Sequence, residues 1–253
     1  MPESTLDLSL VIACYNEEYE LVESVRQIVD VLDLARLSYE LIFVDDCSRD
    51  RTRELIDQLL IDYRDKNFRK VFHVHNTGRG RTVADGFRLA RGEVVGYLDI
   101  DLEVHARYIP TMVLALRHGA DVATAHRIYK VQPRLIHRFI LSTGYSRMVR
   151  WLLGVHLKDT ETGYKFFKRE RILPVLDEVE NERWFWDTEI MVRAALRGLR
   201  IDEIQCLFIR RYDKQSTVNL VADTLDYFKN IWRFRRTVQQ LRAASALNPP
   251  DQA

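Results

Sequence analysis

Short apolar runs alternate with amphipathic stretches through the first half of the chain. LSLVIAC (8–14), YELIFVD (39–45), KVFHVH (70–75), EVVGYLD (93–99) and DVATAH (121–126) have the length and the branched or aromatic content of buried strands. Between them, EEYELVESVRQIVDVLDLA, RDRTRELIDQLLIDYRD, RTVADGFRLARG and ARYIPTMVLALRHG carry apolar residues at helical spacing. Strands joined by helical crossovers of this length predict an α/β fold, a mostly parallel sheet flanked by helices on both faces. Ligands of such sheets bind beyond the carboxyl ends of the strands.

The second half has a different pattern. RLIHRFILSTGYSRMVRWLLG (134–154) is amphipathic and basic, TGYKFFKRE (162–170) reads as a strand entering a helix, and WFWDTEIMVRAALRG (184–198) as a helix. A strand is expected in LRIDEIQCLFIRR (199–211), then one long helix starting near Ser216. Residues 1–243 are expected to form one domain, and 244–253 a disordered tail.

A chain of 253 residues that is 47% hydrophobic can bury a sizeable core. The formal net charge of +1 argues against a nucleic-acid partner. Cys14, Cys47 and Cys206 form no Cys-x-x-Cys pair, which argues against a zinc knuckle or a disulfide framework. The N-terminus has no leader pattern and no apolar run is long enough to span a bilayer, so the expectation is a cytoplasmic chain. The charge is unevenly spread. Val122 to Lys158 contains basic residues and no Asp or Glu, and a second acid-free stretch carries Lys229, Arg233, Arg235, Arg236 and Arg242. Such runs describe either solvated helix faces or surfaces for anions.

Each of the first four strands ends in polar residues. Tyr15 and Glu17 follow the first, Asp45 and Asp46 the second, Asn76 to Gly80 the third, and Asp99, Asp101 and Glu103 the fourth. In an extended chain the last three would share one face, where their repulsion calls for a cation or full solvation. Carboxylates beside substrate phosphates suit Mg²⁺ or Mn²⁺. Asp46 is placed to accept hydrogen bonds from a base or ribose, Tyr15 to offer a flat face, and Ser48 or Asp50 to cap the next helix. Gly78 and Gly80 do not make a dinucleotide fingerprint, because Val83 occupies the third glycine position. They form instead a loop whose amides, with Arg79 or Arg81, suit a phosphate or nucleotide.

VIACYNEE, IFVDDCSRDRT, NTGRGRTVADGFRLARGEVVGYLDIDLE, DTETGYKFFKRE and WDTEIMVRAALRGLRIDEI together resemble the inverting family 2 glycosyltransferases, in particular the polyprenyl-phosphate and dolichyl-phosphate mannose and glucose synthases. The resemblance covers roughly residues 7 to 236. It implies a GT-A fold with a nucleotide-sugar-binding half (1–126) and an acceptor-binding half (127–243) with amphipathic helices. It places Ala13, Tyr15, Glu17, Asp46, Arg79 and Asp99 around the nucleotide-sugar, with Ala13 standing where relatives often have proline. It places Asp101 on the metal together with Glu103, which replaces a glutamine found in many relatives. Arg127, Arg138, Ser142, Arg211 and Lys214 fall to the acceptor phosphate, Lys214 replacing a glycine in that element.

The reaction implied is metal-dependent, inverting transfer of a hexose from GDP-mannose or UDP-glucose to polyprenyl phosphate. Asp99, Asp101, Arg127, Arg211 and Asp159 form its catalytic group. A phosphate acceptor already carries a nucleophilic oxygen, so Asp159 acts as a base only if the acceptor is an alcohol. The helix at 134–154 sets Leu135, Phe139, Met148 and Leu152 among arginines, and the last helix sets Val221, Leu225, Phe228 and Trp232 before a basic end. Both fit peripheral attachment to the cytoplasmic face of a membrane. The alternatives are a glycosyltransferase with a soluble or polysaccharide acceptor, and a non-catalytic nucleotide-sugar module.

Overall fold

The structure, a computed structural model, describes residues 6–129, 148–210 and 220–247. Seven strands form one sheet: β1 (Leu8–Cys14), β2 (Tyr39–Asp45), β3 (Asn67–Phe72), β4 (Val94–Leu98), β5 (Val122–Tyr129), β6 (Tyr164–Lys168) and β7 (Ile201–Phe208). The helices are α1 (Leu21–Leu34), α2 (Thr52–Asp62), α3 (Arg79–Leu89), α4 (Ile109–Arg117), α5 (Arg169–Leu176), α6 (Trp186–Leu196) and α7 (Leu220–Leu247). Residues 148–153 add a short helical stretch.

Across the sheet the order is β3-β2-β1-β4-β6-β5-β7. β1 pairs in parallel with both β2 and β4, and β5 with β7, while β6 lies antiparallel between β4 and β5. The chain steps outward from β1 to β3, then returns to place β4 on the other side of β1. The reversal opens a crevice at the carboxyl ends of β1 and β4, where sheets of this kind bind ligands.

Both faces of the sheet are covered, which is why β1 and β2 are mostly apolar, with Ser9 and Glu40 buried and hydrogen-bonded to each other. Leu8, Leu10 and Ile12 pack with Leu21, Val25 and Ile28 of α1 and Met112 of α4. On the other face, Val11, Ile42 and Val44 meet Val83 and Phe87 of α3 and Ile190 of α6, with Ile231, Phe234 and Val238 of α7 beyond. Each such side chain, fully buried, contributes about 1.5–3 kcal/mol.

Some boundaries differ from the sequence expectation. β3 runs over 67–72 rather than 70–75, because it is an edge strand paired only with β2, and its residues are at most half-buried. Its pattern is correspondingly weak, and Val74, an apparent strand residue, is exposed. Arg69 and Lys70 on this edge discourage pairing with another chain. α1 begins at Leu21 because residues 16–18 form a stitched turn instead of a first helical turn. There the Asn16, Glu17 and Glu18 amides donate to Ser48 Oγ, Thr52 Oγ1 and Asp50 Oδ2. Ser48 and Asp50 thus tie the β2 loop to the β1 loop, while the cap position of α2 falls on Arg51. The last helix runs on to Leu247.

Candidate active site

The DIDLE carboxylates do not continue a strand. β4 ends at Leu98, the Asp99 amide donates to Gly163 O at 2.9 Å, and Leu102 has a left-handed φ of 52°. The Leu102 amide returns to Asp99 O at 3.1 Å, and the Glu103 amide to Asp101 Oδ1 at 3.2 Å. The extended-chain alternation is therefore replaced by a turn. The turn nevertheless brings Asp99, Asp101 and Glu103 to one pocket, whose lining includes Arg127, Gly163 and Phe208. Val104 bridges to Phe208, and the Ile209 amide donates to Glu103 O at 2.8 Å, so the end of β7 is fastened to the acidic turn.

Arg127 reaches this pocket from β5. Its guanidinium binds Asp159 through both oxygens, Nε to Oδ2 at 2.7 Å and Nη2 to Oδ1 at 2.9 Å, and lies over the Phe208 ring. Burial pushes the Asp159 carboxyl up, but Arg127 outweighs it and holds the group below its ordinary value. A carboxylate clamped in this way is a weak proton acceptor, and it fits the task of aiming Arg127 better than that of a base.

Asp46, at the end of β2, is buried. Oδ1 accepts from the Thr77 amide (2.7 Å), the Thr77 hydroxyl (2.9 Å) and faces His73 Nδ1 (2.9 Å), while Oδ2 accepts from the Gly78 amide (2.8 Å). Burial works against its charge, yet these donors hold its pKa below the ordinary value. Asp46 therefore anchors the loop after β3. Gly78 is required there by a φ of 101°. Ala13 and Tyr15 lie at the adjoining end of β1, Tyr15 with 38% of its surface exposed, and Glu17 opens the turn before α1.

Arg79 is not at the surface. Nη1 binds Asp187 Oδ2 and Nη2 binds Asp99 Oδ1, each at 2.5 Å, with the guanidinium against the rings of Tyr97 and Trp184. Asp187 also receives the Tyr97 hydroxyl and, at 2.9 Å, Lys165 Nζ. The sequence reading missed Asp187, Lys165 and Trp184. Its available signal was a lysine, Lys165, set between the aromatic residues Tyr164 and Phe166 of a strand. Glu161 was missed too: burial, with Asp159 and Asp187 nearby, pushes its carboxyl up to about 7 against the pull of Arg127 and Lys165.

Glu161 gives a stability prediction. Between its ordinary value of 4.5 and about 7, the folded chain keeps a proton that the unfolded chain has released. This contribution is complete below the unfolded value and is lost as pH rises through the folded one. Glu161→Gln is expected to flatten the fall in urea-unfolding free energy over that interval. Parallel pH curves for the two proteins would contradict the assignment.

Asp101 and Glu103 suit a hard, oxygen-seeking cation. Among the described residues no three His, Cys, Asp or Glu side chains enclose a metal. Two carboxylates suit Mg²⁺ or Mn²⁺, which keep water and take substrate phosphate oxygens. Arg138, Ser142, Arg211 and Lys214 lie outside the described residues.

Residues 9–172 match the model of glycosyl transferase family 2. The chain belongs to this family. Glycosyltransferase AglD of Haloferax volcanii is 33% identical over 90% of the chain and 37% of that protein. Dolichyl-phosphate beta-glucosyltransferase ALG5A of Trichomonas vaginalis is 28% identical over 78% of the chain and 64% of that protein. The chain thus spans less than two thirds of either relative. The structure of mannosyltransferase PcManGT from Pyrobaculum calidifontis, in complex with GDP-Man and Mn²⁺, matches with a TM-score of 0.59 at 17% identity, over 98% of this chain and 77% of that one. The mostly parallel, helix-flanked sheet is accordingly the GT-A fold of a family 2 glycosyltransferase.

Proposed function

We propose that this glycosyltransferase moves a hexose, with inversion, from a nucleotide-sugar to a polyprenyl phosphate. The observation that carries the reading is the pocket that holds the acidic turn and Arg127 together. One wall suits the cation of a donor diphosphate, the other an anionic acceptor. The dolichyl-phosphate glucosyltransferase among the relatives supports the acceptor class, and the Mn²⁺ and GDP-Man of the mannosyltransferase structure support the metal and the donor class. In this reading the hexose is glucose or mannose.

A divalent cation on Asp101 and Glu103 would offset the charge of the leaving diphosphate. Arg127, fixed by Asp159, offers a planar pair of donors to the acceptor phosphate and lessens its repulsion from the donor. An acceptor oxygen attacks the anomeric carbon as the bond to the diphosphate breaks, and the nucleoside diphosphate leaves with the electron pair. In-line attack on an α-linked donor yields a β-linked sugar phosphate. Arg138, Ser142, Arg211 and Lys214 complete the phosphate site in this reading; the chain leaves Ile209, bonded to Glu103, two residues before Arg211.

The alternative reading is a hydroxyl acceptor, which would need a general base. An acceptor panel separates the two. Label from UDP-glucose or GDP-mannose is expected to enter the organic phase with polyprenyl phosphate and not with the corresponding polyprenol; the reverse would favour the hydroxyl acceptor.

Membrane contact forms part of the proposal. Among the described residues no helix is long and apolar enough to cross a bilayer. On α7, Ile231, Phe234 and Val238 turn into the core, while Phe228 and Trp232 of the expected apolar stripe are exposed beside Lys229, Arg233 and Arg236. Leu152, expected at the interface, instead packs into the second core, and its neighbour Trp151 is 79% exposed. Exposed tryptophans beside basic residues suit peripheral attachment to an anionic surface. Flotation with anionic vesicles is expected to weaken as salt rises, since exposed charges are screened over about 8 Å at physiological ionic strength. Phe228→Ala with Trp232→Ala should remove much of the salt-resistant remainder. A protein that stays unbound at low salt, with and without polyprenyl phosphate, would contradict this attachment.

A further inference from the structure

Beneath the pocket lies a line of four charges of alternating sign: Lys165, Asp187, Arg79 and Asp99. They come from β6, the start of α6, the start of α3 and the end of β4. Lys165 is fully buried and its Nζ reaches both Asp187 Oδ1 (2.9 Å) and Thr162 O. A buried ammonium is costly unless it is paired and hydrogen-bonded. Burial pulls its pKa down, with Asp187 working in the opposite direction. Asp187 is also buried and gathers Lys165, the Tyr97 hydroxyl and Arg79. It thus holds one side of Arg79 still, and the Tyr97 and Trp184 rings hold the guanidinium plane.

The free side of Arg79 then takes only one oxygen of Asp99, Oδ1. The other, Oδ2, accepts no hydrogen bond among the described residues and lies against Gly163, where a Cβ would collide with it and with Arg79. The Asp99 side chain is 48% exposed at the pocket it lines. One oxygen is anchored and neutralised by Arg79, while the other takes no hydrogen bond of its own among the described residues, in a side chain that is half exposed. Such a carboxylate is built to accept a hydrogen bond from a hydroxyl, a task distinct from the cation binding assigned to Asp101 and Glu103.

We infer that Lys165, Asp187 and Arg79 are positioning residues, a relay that sets Asp99 Oδ2 to receive a hydroxyl of the donor hexose. The inference rests on the nucleotide-sugar reading above. It also gives Arg79 a role other than direct phosphate binding: both of its terminal nitrogens, Nη1 and Nη2, already bind carboxylates. Lysine at position 79 would not reproduce it, because a single ammonium lacks the planar fork that spans two carboxylates.

A double-mutant cycle on binding tests the relay. Isothermal titration of the Mn²⁺-loaded protein would compare UDP-glucose and GDP-mannose with UDP and GDP. Arg79→Gln and Asp99→Asn are each expected to weaken the preferred hexose donor about tenfold to a hundredfold, the loss that follows removal of a charge-assisted hydrogen bond. The nucleoside diphosphate alone should bind as before. In the Asp99→Asn background Arg79→Gln should cost nothing further, and Arg79→Lys should fail to restore donor binding. Additive losses, or equal losses for donor and bare diphosphate, would overturn the relay. Lys165→Met and Asp187→Asn extend the cycle where they fold; their burial makes Arg79→Gln the principal variant. A crystal structure of Arg79→Gln decides the geometry even if the wild type binds neither donor, a result that would count against the proposed function itself. Asp99 displaced from Gly163 supports the relay, and Asp99 unmoved overturns it.

Discussion

Asp101→Asn is expected to lower hexose transfer by roughly a hundredfold to a thousandfold, the loss typical when one group that stabilises transition-state charge is removed. Asp101 sits in the turn after β4, its Oδ1 receiving the Glu103 amide, and shares the pocket with Glu103 and Arg127. The amide keeps the size of the side chain and can still accept that hydrogen bond, so the turn should survive. What disappears is a negative charge next to the proposed cation. Melting temperature and nucleoside binding without metal should therefore stay near wild type while turnover collapses. EDTA should bring the wild type down to a similar level. An active Asp101→Asn protein that also ignores EDTA would remove the metal from the account.

Arg127→Ala should have two separable effects. The Arg127–Asp159 pair is largely buried, with side chains 19% and 10% exposed, and removing one member leaves a buried charge without its partner. That costs roughly 3–5 kcal/mol of stability. Adding Asp159→Asn should recover much of this loss, because the stranded charge is gone. Acceptor use should not recover. Its KM is expected to remain about tenfold to a hundredfold above wild type, since the guanidinium donors to the phosphate are missing in both proteins. Donor affinity should change little. Recovery of acceptor use along with stability would make Arg127 a structural residue only.

The sheet was legible where burial is two-sided. LSLVIAC and YELIFVD coincide with β1 and β2 because both of their faces meet helices, so apolar residues dominate each run despite the buried Ser9 and Glu40. At the edge strand β3 the same reading slipped by three residues, since Arg69 and Lys70 face solvent or partners outside the core. The acidic turn was located correctly for a reason that does not hold: no extended strand carries Asp99, Asp101 and Glu103. A left-handed residue at Leu102 and the tie from Asp99 to Gly163 fold them together. Lys165 and Asp187 could not be paired from sequence. Lys165 lies on β6 between Tyr164 and Phe166 while Asp187 stands in the first turn of α6, so their pairing is a long-range contact without a spacing signature. Asp159 was visible as an acid, but its clamp on Arg127 is a long-range contact that spacing does not reveal.

The central claim is that one pocket neutralises a donor diphosphate and presents a phosphate nucleophile to its sugar. The most direct test incubates the purified protein with an α-linked nucleotide hexose, polyprenyl phosphate and Mn²⁺, and assigns the anomeric configuration of the lipid product by NMR. The account predicts a β-linked polyprenyl-phosphate hexose that forms only when the divalent metal is present. An α-linked product, or equal yields with the metal chelated, would contradict it.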